Sequence, residues 1–143
     1  MLDQLLSQIE NKKKSRGRSM RLSAKKENID RLKKWVSDHV QHNLWFSEYE
    51  HFLNKMDGLN YNGLVIYNSD PSDENNNLIS ANEIWWDIES NTHYLFLGDG
   101  NISWYAYDIE KNKFVELDKP SGDLICEFDH FNQMFEQALK NLL

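Results

Sequence analysis

The order of elements in this sequence predicts an α+β fold, with a mostly antiparallel central sheet flanked by N-terminal helices and a C-terminal helix. Three observations carry that prediction. Apolar residues recur at helical spacing through the first third of the chain. A meander of short strand-like runs occupies Tyr94 to Leu117. A helical stripe then returns toward the end of the chain. Helices and strands are segregated rather than alternating, which separates α+β from α/β. The 143 residues fit a single domain over 1–143, in which residues 1–22 form an extension of one helix and a basic connector.

The elements follow in order. Leu2, Leu5, Leu6 and Ile9 mark a short amphipathic helix, and Lys12, Lys13 and Lys14 suit the negative end of its dipole. Ser15 to Ser19, with Gly17, reads as a flexible basic connector. Ser23 is placed to cap a second helix whose stripe is Ile29, Leu32, Trp35, Val36 and Val40. A third helix carries Phe46, Tyr49, Phe52, Leu53 and Met56 and stops at Asp57-Gly58. Leu64 to Tyr67 reads as a strand, and Asn68 to Asn77 as a polar loop. Ala81 to Ile88 suits either a helical turn or a strand. Tyr94 to Leu97, Ser103 to Asp108 and Lys113 to Leu117 are meander strands, with Gly98-Asp99-Gly100 as a turn. Leu124 to Phe128 is a candidate last strand. Asp129 is placed to cap the closing helix, which buries Phe131, Met134, Phe135, Ala138, Leu139 and Leu142.

Charge is unevenly spread. The net charge is −7. Residues 1–35 hold eleven Lys and Arg against four Asp and Glu, or +7, which leaves −14 for the rest. A body this acidic repels phosphate backbones and attracts basic partners. The basic segment Lys12 to Arg21 could touch nucleic acid. It contains no aromatic residue to stack on bases, so a solvated helix end and linker is the favoured reading. The single cysteine, Cys126, excludes an internal disulfide and reads as a buried, inert thiol in Leu124-Ile125-Cys126. Neither a leader peptide nor an apolar run long enough to span a membrane is visible, so a cytoplasmic location is expected.

Catalytic and metal-binding patterns are sparse. His39 and His42 have helical ligand spacing, but there is no HExxH and no cysteine nearby, so neither metal nor cofactor is expected. Gly98-Asp99-Gly100 lacks the Gly-Lys-Ser/Thr ending of a phosphate loop. Asp73, Glu74, Asp87 and Glu89 could pair as hydrolytic carboxylates, although acidic loops on an acidic protein are usually solvated. Trp85-Trp86 is more informative. Adjacent side chains diverge, so one buried and one exposed tryptophan is expected, and an exposed Trp among acids has the make-up of a binding hot spot.

Four stretches carry a family resemblance: Phe46 to Gly58, Asn77 to Trp85, Tyr94 to Gly100 followed by Trp104 to Asp108, and Phe128 to Leu139. In this order and spacing the chain resembles the SUKH superfamily of immunity proteins, and within it the YrhA-like branch. It departs from the pattern in carrying Phe46-Ser47 where the family often has a proline before its tyrosine, and in the basic segment. The resemblance implies an α+β fold around a central sheet and a non-enzymatic role, in which the protein binds and blocks a toxin. On that reading the partner is a cognate toxin domain, plausibly a nuclease. The contacts expected from the residues are Asp73, Glu74, Trp85, Trp86, Asp87, Glu89 and Asp99. The alternative is a non-enzymatic regulatory scaffold whose basic arm contacts nucleic acid.

Overall fold

The structure, a computed structural model, describes residues 1–142. Helices α1 (Leu2–Ser15), α2 (Lys26–His39) and α3 (Ser47–Lys55) come first. Strands β1 (Leu59–Tyr61) and β2 (Leu64–Ile66) follow, then helix α4 (Leu78–Trp85) and a 3-10 turn at Glu89–Asn91. Strands β3 (Tyr94–Asp99), β4 (Ser103–Asp108), β5 (Lys113–Asp118) and β6 (Leu124–Phe128) lead to α5 (Phe131–Leu142). The six strands form one antiparallel sheet in the order β1-β2-β3-β4-β5-β6. The expected α+β architecture is therefore present.

Strand β1 was not anticipated from the sequence. It pairs with β2 through a turn in which Asn62 and Gly63 both take positive φ, 49° and 87°. An Asn-Gly pair fits such a two-residue hairpin because both positions need the left-handed region.

Strand β4 is buried along its whole length, because both faces of the sheet are covered. Alternation sends Trp104 and Ala106 to one side and Tyr105 and Tyr107 to the other. Trp104 packs edge-on against Trp85 of the α4 layer, with 5.4 Å between centroids. On the opposite side Tyr107 and Phe114 pack with Phe46, and Phe114 reaches Phe131 of α5. Phe131, Phe135, Tyr49 and Leu53 are buried in this second layer, where each large apolar side chain contributes about 1.5–3 kcal/mol.

Three local expectations are corrected. Helix α2 begins at Lys26 without a side-chain cap, so Ser23 caps nothing. The chain there is held as a strap, with Ala24 N–H donating to Leu53 O at 2.9 Å and Asp57 N–H donating to Leu22 O at 2.8 Å. Helix α5 begins at Phe131, and the Asp129 carboxylate instead pairs with Lys113. The backbone N–H groups of Asp129 and His130 donate to Gln133 Oε1, which reaches back from the first turn. Cys126 is only half-buried, because β6 is an edge strand whose side chains are mostly exposed.

Candidate functional site

Helix α4 positions the tryptophan pair. Asn77 caps it, with its Oδ1 accepting the Ser80 N–H at 3.0 Å. Asn82, fully buried, fastens it to the sheet. Its Nδ2 donates to Leu78 O at 2.8 Å and Phe96 O at 2.9 Å, and its Oδ1 accepts the Phe96 N–H at 2.7 Å. Every polar atom of that amide is paired, so the helix has one position on β3. The ambiguous segment Ala81 to Ile88 is thereby resolved as helix through Trp85, followed by a turn.

The tryptophans do not divide into one buried and one exposed. Both are half-buried, because each indole has an acceptor in the fold. Trp85 Nε1 donates to the Tyr67 hydroxyl at 2.8 Å, and Trp86 Nε1 donates to Tyr94 O at 2.8 Å. The Trp86 ring stacks on Trp35 of α2 at 5.5 Å with planes 12° apart. Trp85 lies under the Lys119 ammonium, 4.9 Å from the ring centroid.

The acidic candidates separate into two kinds. Asp99 is committed internally: it accepts Tyr67 Oη–H at 2.5 Å and Lys119 Nζ–H at 3.2 Å. Burial, followed by the Asp99 charge, holds the Tyr67 phenol well above its ordinary value. Asp73 organises its own loop, accepting from Asn68 Nδ2 at 3.0 Å and from the Asn76 N–H at 3.1 Å. Arg21 reaches over that loop to Asp70 and Asp73, at 3.5 and 3.9 Å, so part of the basic connector lies against acid of its own chain. Asp70 sits below the usual carboxylate range, chiefly through hydrogen bonds from Ser72 and less through Arg21. Glu74, Asp87 and Glu89 are exposed, and none forms an ion pair among the described residues.

These seven residues come from three places in the fold: the loop before α4, the end of α4 with the turn after it, and the end of β3. Asp73 and Glu74 precede α4, whereas Trp85, Trp86, Asp87 and Glu89 follow or end it. An eight-residue helix separates the two groups by about 12 Å. Two large apolar side chains near the C-terminal end of α4 are turned outward. Ile84 is 50% exposed and Ile88 44% exposed, each two residues along the chain from Trp86, which stacks on Trp35. Glu83, Asp87 and Glu89, their neighbours in sequence, are exposed as well. The core-facing positions of α4 are Leu78, Ile79, Ala81 and Asn82.

Metal-ligating side chains meet elsewhere. His93, Asp108 and Glu110 bring one ligand atom each within 4.8 Å of one another. Asp108 Oδ1 already accepts the N–H groups of Glu110 and Lys111 and shapes the β4–β5 turn. His39 and His42 do not join: His39 packs on Trp35, and His42 Nδ1 lies 3.4 Å from Ser37 Oγ.

Among known proteins, no family model matches the chain and no curated protein matches it by sequence. No helix among the described residues is long and apolar enough to cross a membrane.

Proposed function

We propose that the chain is a protein-binding module that acts as an immunity protein: it neutralises a cognate toxin domain by covering its active or substrate-binding surface. The observation that carries this reading is the end of α4, where exposed Ile84 and Ile88 are interspersed along the chain with exposed Glu83, Asp87 and Glu89 and with half-buried Trp86, which stacks on Trp35. Apolar anchors surrounded by charge are how binding hot spots are built. The anchors supply the energy and the rim sets association rate and specificity. The −14 carried by residues after 35 favours a basic partner surface, such as the groove of a nuclease. The resemblance of Phe46 to Gly58 and Tyr94 to Asp108 to the SUKH pattern agrees with this role. On this reading the chain works by occupancy, without catalysis, in the compartment where the toxin would act, the cytoplasm.

The test is co-expression in a bacterial host with a candidate toxin domain, sought first in the coding region adjacent to this one. Growth is rescued by the wild-type chain and lost again with Ile84→Asp/Ile88→Asp, provided that the variant remains folded. Rescue by that variant as strong as wild type removes the face from the account.

A further inference from the structure

Glu116 is a buried acid that the α4 face leaves unused. It lies on β5, shares its side of the sheet with Phe114, and is only 6% exposed. Its Oε2 accepts one hydrogen bond, from Ser103 Oγ at 2.7 Å. Among the described residues it forms no ion pair. A buried carboxylate held by one neutral hydroxyl is poorly compensated, and such a group gains strongly from a cation.

The carboxylate lines a cavity of about 330 Å³ between the β1–β2 turn, the β3–β4 turn and the last turn of α5. Ser103, Tyr105, Asn62, Asn101 and Asn141 are its other polar members, and Ile102 and Leu142 are among the apolar ones. None of the lining residues is basic. The C-terminal end of α5, at Asn141 and Leu142, adds the negative end of a helix dipole to the same space. Carboxylate and dipole act in one direction: they favour a cation and disfavour an anion. The aliphatic wall suits a methylene stem behind the charge.

We propose that this cavity binds a primary ammonium or guanidinium group on a short aliphatic stem, with the cation against Glu116. A free alkyl amine and a lysine or arginine side chain of a bound protein present the same chemistry. The inference does not depend on the toxin-binding reading, since Glu116 lies on the α5 side of the sheet and Trp85 on the other.

The experiment is amide NMR on the full chain, titrated separately with n-butylammonium, with N-acetyl-lysine methylamide and with n-butanol as the uncharged isostere. Butylammonium or the lysine derivative shifts the Ser103, Tyr105 and Asn141 amides saturably at millimolar concentration. Butanol and the Glu116→Gln variant each bind at least about tenfold more weakly. Tighter binding of the lysine derivative identifies a side chain as the natural occupant, and tighter binding of the free amine identifies a small molecule. Equal binding of butanol, equal binding by a folded Glu116→Gln variant, or no saturable shift overturns the proposal. A second readout holds even where that variant fails to fold. In the wild-type chain at fixed pH, butylammonium shifts the carbon-13 signal of the Glu116 carboxyl saturably, and an unmoved signal counts against the site.

Discussion

The Trp85 indole N–H donates to the Tyr67 hydroxyl at 2.8 Å, and the same hydroxyl donates to Asp99 at 2.5 Å. This relay joins the end of α4 to the chain leaving β2 and to the end of β3, and Lys119 closes it by bonding Asp99 and covering the Trp85 ring. Tyr67→Phe leaves an indole donor without its acceptor and a carboxylate with one fewer donor. We expect a loss of about 1–3 kcal/mol in denaturant unfolding, with the native fold retained. A variant as stable as wild type contradicts the relay.

Asn82 is the second anchor of α4. Asn82→Leu keeps the approximate volume but removes three hydrogen bonds and strands the backbone groups of Phe96. The expected cost is about 3 kcal/mol or more, measured by urea unfolding. A cost below about 1 kcal/mol shows that α4 is held by apolar packing alone.

Alkaline pH should weaken the fold. Burial raises the Tyr49 and Tyr67 phenols well above their ordinary value, with Asp57 and Asp99 as the respective secondary causes. Both phenols stay protonated in the folded state at a pH where an unfolded tyrosine ionises, which is about 10. Their contribution is fully present below that value and is lost as pH rises beyond it toward the folded-state values. Stability against pH therefore slopes downward above about pH 10, and Tyr67→Phe flattens the slope. A flat wild-type profile in that range contradicts the burial of these hydroxyls.

The loop before α4 separates structural from exposed acid. Asp73→Lys loses the bonds from Asn68 and Asn76 and the Arg21 contact, so it destabilises the chain by roughly 1–3 kcal/mol. Glu74→Lys stays within about 0.5 kcal/mol of wild type. Thermal melts of the two variants check this, and equal melting temperatures contradict the division.

Much of the fold was legible because period and segregation are local signals. The three N-terminal stripes, the meander and the closing helix appear where the sequence places them, except that β3 runs on through Gly98 and Asp99, which read as a turn, because both pair with β2 and β4. Strand β1 escaped because Leu59 to Tyr61 is only three residues long, yet Asn62-Gly63 was a readable hairpin signal. The site was less legible because pairing is non-local. Nothing in the sequence near Asp99 announces Tyr67 or Lys119, and nothing near Asp73 announces Arg21. The spacing of Ile84, Trp85 and Ile88 left helix or strand open, and spacing alone does not say which side of a helix the sheet covers.

The central claim is that the end of α4 is the surface that engages a toxin. Its most direct test is the association and dissociation rates between this chain and a toxin domain that it neutralises, measured at low salt on variants shown to be folded. Ile84→Asp should speed dissociation by about tenfold or more, because it places a charge where an apolar anchor is desolvated. Glu83→Lys/Asp87→Lys/Glu89→Lys should slow association and reduce its salt dependence. Rates indistinguishable from wild type in both folded variants, with the toxin still bound, contradict the claim.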